Sequence, residues 1–327
     1  MILAVDSGTT RTRVWLLAQG RVTAGASAVV GARDLARSRN ADWLLERVRA
    51  VADETLTAES LSWSEIEAVV AFGMITSEFG LIELPHLDAP VGVSDLAAAM
   101  HEPTGDIGLP SRLLLVPGVR NASKSIDQAD FMRGEETEVA GLLALGEIAP
   151  PLLYVSIGSH PKFVWVDGTG RIAWSLTTLS GELIWALHRE TIVADLIDPE
   201  AEPRDLDAVE EGARLAGAVG LSRALFAARI LNRIGVASRE SCSAFVHGAF
   251  AGADLEALEA TVPAGAAAER IVLSGRGPLL AAYRHLLRRS DGDVHVVDQP
   301  LGAIGARALF DLRASMGLSE EASELHA

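Results

Sequence analysis

The sequence predicts an α/β protein built from two like domains. Three observations lead there. Strand-like and helix-like patterns alternate along the whole chain. A strand–turn–strand pattern recurs at a fixed spacing of 150 residues. Apolar residues make up 49% of the 327 positions and charged residues 22%, the balance of a globular chain with a sizeable core.

The elements follow in order. Residues 2–5 are a short apolar run, expected to be a buried strand. Residues 12–17 are β-branched and aromatic, a second strand, and Gly20-Arg21-Val22 opens a third after a tight turn. Residues 42–56 have the spacing of an amphipathic helix, with Asp42 as its N-cap. Strands are expected at 68–72 and 112–116, and a helix rich in small residues at 131–145. Strands at 152–156 and 163–166 precede helices at 221–234 and 243–258. A strand at 270–273 runs into Ser274-Gly275-Arg276-Gly277, and Pro278 suits the first position of a helix reaching 289. A strand at 294–297 and a helix at 301–316 follow, the latter carrying Gly302 and Gly305, and the polar tail from Gly317 is expected to fray.

Composition excludes several classes. Twenty-eight basic against 44 acidic residues give a net charge of −16, which argues against tracking nucleic-acid phosphates. A lone cysteine, Cys242, excludes a disulfide scaffold. No charge-free apolar run reaches the roughly 18 residues of a membrane span, and the N-terminus lacks the basic start of a signal peptide. The expected setting is cytoplasmic, without nucleic-acid or membrane partners. Lys124 and Lys162 are the two lysines in the chain, so the place of each carries information.

The repeat is the strongest signal. Val5-Asp6-Ser7-Gly8-Thr9-Thr10 matches Val155-Ser156-Ile157-Gly158-Ser159-His160. Val14-Trp15 then matches Val164-Trp165, and Gly20-Arg21-Val22 matches Gly170-Arg171-Ile172, with no gap. On this register Trp15 and Trp165 hold equivalent core positions. A glycine turn with hydroxyls offers backbone N–H and O–H donors to phosphate oxygens. Asp6 suits Mg²⁺, held directly or through water. Ser156 replaces that carboxylate in the second copy, so the first turn is expected to serve the metal and the second, with Lys162, the terminal phosphates. Gly275 and Arg276 form a third candidate nucleotide loop, close enough in backbone for a flat base or ribose. There is no P-loop motif and no dinucleotide fingerprint after the first strand.

A duplicated strand–turn–strand, with Asp-x-Gly-Thr in its first copy, and a late glycine loop resemble the actin-like ATPase and sugar-kinase superfamily, whose domains are ribonuclease H-like. Asp130-Phe131-Met132-Arg133-Gly134-Glu135-Glu136-Thr137-Glu138 is similar to the Met-Arg-Gly-Glu-Glu-Thr block of the 2-dehydro-3-deoxygalactonokinases. Leu115-Val116-Pro117-Gly118, Gly158-Ser159-His160-Pro161-Lys162-Phe163-Val164, Ser180-Gly181-Glu182-Leu183 and Ala71-Phe72-Gly73-Met74-Ile75-Thr76-Ser77 resemble further segments of that family, in order. The chain departs from it at Ser7 and Thr76, and in regions 27–40 and 122–129.

The resemblance implies ATP- and Mg²⁺-dependent phosphorylation of 2-dehydro-3-deoxy-D-galactonate in a cleft between two lobes. The lobes would be 1–118 and 119–302, with helix 303–327 packing back on the first. Phosphoryl transfer needs a base or orienting group, a metal and positive charge. Asp130 is the first candidate base, with a helix N-cap as its plain alternative, and Glu135 is the second. Arg133 is expected to bind the substrate carboxylate or a phosphate, or else to pair with Glu136 or Glu138 on its own helix. Glu136, His160, Ser77 and Glu182 are the remaining candidate substrate contacts. Asp254 is read as a solvated surface acid, and His247 and Cys242 as packing residues. Homodimerisation is left open. So are three other activities: a 2-dehydro-3-deoxygluconate-type kinase, an actin-like phosphohydrolase or acyl-phosphate former, and a non-catalytic ATP or sugar-acid binder.

Overall fold

Strand β1 (Ile2–Ser7) is apolar at successive positions because both of its faces are covered, and this holds for every central strand of the protein. The computed structural model describes residues 1–31, 41–105, 107–263, 270–288 and 293–318. The first half contains β1, β2 (Thr12–Ala18), β3 (Arg21–Ala28), α1 (Ala41–Ala58), β4 (Ala68–Gly73), β5 (Leu87–Asp88), α2 (Val93–Ala99) and β6 (Arg112–Leu115). Then come β7 (Val119–Arg120), β8 (Phe131–Met132) and α3 (Glu135–Leu145). The second half continues with β9 (Leu152–Ile157), β10 (Lys162–Val166), β11 (Ile172–Thr177), α4 (Ser180–Glu190), α5 (Leu206–Val219), α6 (Leu221–Arg233) and α7 (Arg239–Thr261). It ends with β12 (Arg270–Gly275), α8 (Pro278–Arg288), β13 (Asp293–Val297) and α9 (Leu301–Ser315).

Two five-stranded sheets share one topology. Their orders are β3-β2-β1-β4-β6 and β11-β10-β9-β12-β13, antiparallel on one side of the central strand and parallel on the other. The duplication read from the sequence is therefore structural. Its register, however, slips by one residue in the second copy. Asp6 faces Arg13 across β1 and β2, whereas Ser156 faces Lys162 across β9 and β10. A one-residue slip turns every following side chain to the other face. Trp15 accordingly packs toward the middle of the molecule and Trp165 into the outer core of the second half, so the two tryptophans are not equivalent.

The core has three parts. Leu3, Val5, Val14 and Leu16 pack outward on α1. Val155, Phe163, Trp165 and Leu273 pack outward among the helices of the second half. Between the sheets, Ile2, Ala4 and Phe72 from one side and Leu152, Tyr154 and Val272 from the other enclose α3 and α9. These two helices cross at glycines. A Cβ on Gly305 would lie 1.8 Å from the Thr137 carbonyl oxygen, and one on Gly141 would lie 2.0 Å from that of Leu301. Gly302 likewise leaves room for the Phe72 ring.

Several elements depart from expectation. The helix read at 131–145 starts at Glu135, because Phe131 and Met132 pair with β7 as part of a small β5-β7-β8 sheet. Gly134 then turns the chain at φ 113°, a value open to glycine and strained for other residues. Asp130 therefore caps no helix. Helices α2, α4 and α5 add to the elements expected from the sequence, and the Asp205 side chain caps α5 by accepting from Ala208 N–H. Helix α1 begins at Ala41, and the side chain of Asp42 lies outside the described residues, as do the tail from 319 and position 289.

Gly305→Ala forces a Cβ into a backbone carbonyl of the neighbouring helix. It should lower stability by roughly 1–3 kcal/mol, read as a drop in the urea midpoint. Gly168→Ala, whose Cβ would meet nothing nearer than 3.9 Å, should stay within about 0.5 kcal/mol of wild type.

Candidate active site

The first glycine turn links β1 to β2 and is closed by Gly8 N–H donating to the Arg11 carbonyl at 2.9 Å. Asp6 ends the strand beneath it and accepts a hydrogen bond from Arg13 Nη1 at 2.8 Å. Glycines bring three segments together here. Gly73, at φ 82°, has no room for a side chain beside the Ser7 carbonyl and Asp6, and Gly134 packs against Gly73 in turn. The end of β1, the 3-10 turn Met74–Thr76 and the start of α3 thus meet at one point.

The second turn, Gly158-Ser159-His160, is held by the start of α4. Gly181 packs on the Gly158 carbonyl, and Glu182 N–H donates to the Ser159 carbonyl at 2.7 Å. His160 Nε2 and Glu182 Oε2 lie 2.8 Å apart. Asp254 anchors the same helix start. It accepts from Thr178 Oγ1 at 2.9 Å, from Ser180 Oγ at 2.8 Å and from the Tyr283 hydroxyl. Asp254 is 6% exposed, so it is a buried structural carboxylate rather than the solvated surface acid expected.

Lys162 is 6% exposed and points into the space between the turns. Its Nζ donates to the Phe131 carbonyl at 2.9 Å and to Thr177 Oγ1 at 2.5 Å. Thr177 Oγ1 and Ser175 Oγ in turn donate to Asp130 Oδ2, at 3.0 and 2.7 Å. Arg133, which lies just before α3, pairs with neither Glu136 nor Glu138. Its Nη1 donates to Thr76 Oγ1 at 3.0 Å and its Nη2 to the Leu84 carbonyl at 2.6 Å.

A cavity of about 1290 Å³ lies between these elements. Asp6, Gly8, Thr9, Thr10, Ser77, Asp130, Arg133, Glu135, Gly158, Ser159, His160 and Lys162 all line it, so most of the expected site converges. Glu136 does not. It is fully buried and its carboxylate folds back onto Gly134 N–H at 2.8 and 2.9 Å. Glu182 reaches the cavity through His160. Gly275 and Arg276 do not line it, and Arg276 pairs with Asp298 at 3.3 Å in the open. A second cavity of about 1050 Å³ is lined by Trp185 and His188 of α4, Pro199, and Arg239 and Ser243 of α7. Gly277 adjoins it through Pro199. Helix α4 therefore runs from the second glycine turn to this second cavity.

The structure adds Arg13, Glu138, His86 and Thr177 to the cavity wall. Glu138 was legible, because it stands three residues after Glu135 and shares its helix face. Burial is the first cause of raised carboxyl pKa values at Asp6, Glu135 and Glu138. Arg13 opposes it at Asp6, and Lys162 opposes it at Glu135. The negative charges of Glu135 and Asp6 push Glu138 further, to about 7, while Tyr154 OH donates to it at 2.8 Å. Such mutual repulsion among three acids is what a divalent cation relieves. Among the described residues no group of three or more His, Cys, Asp or Glu forms a ready metal cage.

The paired sheets, the two central helices and the polar cleft define the class: the actin-like ATPase and sugar-kinase fold. A xylulose kinase from Lactobacillus acidophilus shares it at a TM-score of 0.52 and 11% identity, over 98% of this chain and 90% of that one. The activator of the 2-hydroxyisocaproyl-CoA dehydratase from Clostridium difficile, solved with bound ADPNP, shares it at 0.53 and 14%, over 100% and 99%. A candidate 2-dehydro-3-deoxygalactonokinase from Sinorhizobium meliloti is nearer, at 0.74 and 22%, over 98% and 100%. Within the class, the chain belongs to the 2-keto-3-deoxy-galactonokinase family, whose model matches residues 6–310. Its activity is that of the family, phosphorylation of this sugar acid. No curated protein sequence matches it. No helix among the described residues is long and apolar enough to cross a membrane.

The raised carboxyl pKa of Glu138 has a sign that can be measured. Its stabilising contribution is fully present below the ordinary carboxylate range and is lost as pH rises through about 7. Glu138→Gln should therefore match wild type near pH 4 and gain on it by about 1–3 kcal/mol at pH 8.5 without Mg²⁺. Urea unfolding at the two pH values reads the difference, and a gap that does not grow with pH would contradict the assignment.

Proposed function

We propose that the cleft transfers the γ-phosphoryl group of ATP to the 6-hydroxyl of 2-dehydro-3-deoxy-D-galactonate, with Glu135 as the base. The observation that carries this reading is the convergence of both glycine turns, Lys162 and Glu135, whose Oε2 is buried without a hydrogen-bond partner, on one cavity. The phosphates lie on the Gly158-Ser159 turn, where Lys162 supplies positive charge that no carboxylate bonds directly. The nucleoside runs along α4 toward the cavity beside Gly277. Asp6, with Glu138 beside it, would hold Mg²⁺, which would supply charge that stabilises the phosphates. Arg133 has N–H groups beyond those bound to Thr76 and Leu84, and these receive the substrate carboxylate.

Glu135 is better placed as the base than Asp130. Asp130 already accepts two hydroxyl hydrogen bonds and suits a role in orienting the sugar acid. Glu135 keeps an oxygen with no hydrogen-bond partner, and burial raises its pKa, which favours uptake of a proton. The acceptor oxygen attacks the γ-phosphorus, the bond to the β,γ-bridging oxygen breaks, and the acceptor proton passes to Glu135. Closure of lobes 1–118 and 119–302 would exclude water, so that hydrolysis does not compete.

ADP formation against a panel of 2-keto-3-deoxy acids, aldonates, sugars and acetate tests the proposal. Turnover should require a 2-keto-3-deoxy acid. Glu135→Gln should lower kcat by about 10²–10⁴-fold with little change in KM. Asp6→Asn should raise the Mg²⁺ needed for half-maximal rate. Asp130→Asn should act mainly on the sugar-acid KM. Loss of kcat in Asp130→Asn with Glu135→Gln still active would transfer the base to Asp130, and ADP release without any acceptor would favour a hydrolase.

A further inference from the structure

His86 sits on the wall of the cleft, in the segment between the 3-10 turn and β5, and no part of the proposed mechanism uses it. Its surroundings fix its chemistry. Nδ1 faces Arg133 Nη2 at 3.5 Å. A guanidinium has donors and no acceptor, so Nδ1 presents its lone pair and the ring proton sits on Nε2. Burial first, then the nearby charge of Arg133, holds the imidazole pKa down at about 4, so the ring is neutral across the physiological range. The ring is also held in place. Phe131 packs at 5.4 Å between centroids, tilted by 57°. Gly118 lies so close that a Cβ there would come within 2.8 Å of both the His86 ring and the Arg133 side chain.

This ordered donor has no acceptor. Nε2 is buried and has no hydrogen-bond partner among the described residues. A buried N–H without an acceptor is unfavourable, and the open volume that the ring borders is the cleft. Nε2 has less than 1 Å² of accessible surface, so an acceptor oxygen on a bound molecule would complete it as the cleft wall adjusts around the ligand.

The geometry points to His86 as a specificity-determining residue that donates from Nε2 to one uncharged oxygen, a hydroxyl or the keto group, of the sugar acid whose carboxylate Arg133 holds. This rests on the reading of the cleft as the sugar-acid site. A carboxylate alone would not need the histidine, because Arg133 binds it through charge. A neutral, immobile donor recognises a hydroxyl or keto oxygen at one position, and so separates acids that differ in the configuration of a single hydroxyl. A site built around such a bond rejects a ligand that cannot make it, because the site is left with an unpaired polar group.

Two variants test it. His86→Gln keeps an N–H donor at about the reach of Nε2, whereas His86→Leu removes it. Each is assayed with 2-keto-3-deoxygalactonate and 2-keto-3-deoxygluconate, with the ATP KM as an internal control. Binding of the same two acids without ATP is read in parallel by calorimetry. In His86→Leu the sugar-acid KM and Kd for the preferred epimer should rise at least tenfold and the ratio between epimers should collapse toward one. The ATP KM should hold, and His86→Gln should restore most of the ratio. An unchanged ratio in His86→Leu, by turnover and by calorimetry, would overturn the inference. So would an equal loss for both epimers that His86→Gln does not repair. Wild type that binds neither acid in calorimetry would overturn it together with the reading of the cleft, whereas wild type that binds both acids without turning them over would overturn the kinase reading alone and leave the binding ratio to judge His86.

Discussion

The crossing of α3 and α9 sets the geometry of everything else. Each sheet buries one face against this helix pair, and the helices can lie that close because Gly141 and Gly305 present bare backbone to each other. Packing of this density has little slack, so the direction of α3 is fixed by the core rather than by loops. Glu135 and Glu138 project from its first turn and a half. The placement of the acids in the cleft is thus a consequence of a glycine contact that begins less than two turns further along the same helix. The same logic operates at Gly73 and Gly134, where a second backbone contact brings the end of β1 against the start of α3.

That placement has an electrostatic cost which the site does not relieve by itself. Asp6, Glu135 and Glu138 share a partly dry region, and burial opposes the charged form of each. A protein selected for stability alone would put amides or apolar groups there. Retaining three carboxylates is sensible where their charge is used once a cation and phosphates arrive. On the other wall, Arg133 and Lys162 are tied mainly to neutral oxygens of Thr76, Leu84, Phe131 and Thr177. Their charge is held in position and not cancelled by a bonded carboxylate. The cleft is therefore polarised before any ligand binds.

Much of this was legible in the sequence, for physical reasons. Central strands buried on both faces read as apolar runs, and both tight turns carry glycines and hydroxyls at matching positions. The duplication was visible because both constraints act at the same places in each copy. What could not be read was register. A one-residue difference in the turn between paired strands leaves no mark on composition, yet it sends Trp15 and Trp165 to different cores. The start of α3 was misplaced for a related reason: Phe131 and Met132 fit a helix pattern, but they are claimed by a distant strand, β7. Adjacent glutamates posed the same difficulty. Spacing showed that Glu135 and Glu136 diverge, and the local hydrogen bonds of Gly134 decided which one turns inward. His86 gave no signal, since a single histidine in a loop acquires meaning only from Arg133, Phe131 and Gly118, which lie 32 to 47 residues away.

The slipped register also explains how two copies of one unit came to differ in charge. Arg13 and Lys162 are not aligned in the sequence repeat, yet they occupy the same place in the folded pair, each across from the sixth residue of its copy. In the first copy that residue is Asp6, and Arg13 bonds it directly. In the second it is Ser156, and Lys162 turns instead to a carbonyl and a hydroxyl. One copy therefore ends in a neutralised ion pair beside further acids, which suits a hydrated dication. The other ends in a cation with neutral partners, which suits phosphate oxygens. A single substitution of carboxylate by hydroxyl, at a position fixed by the pleat, is enough to give the cleft a direction. On the proposed reading, the donor nucleotide would enter with its phosphates toward Lys162, leaving the acceptor the side of Arg133 and His86.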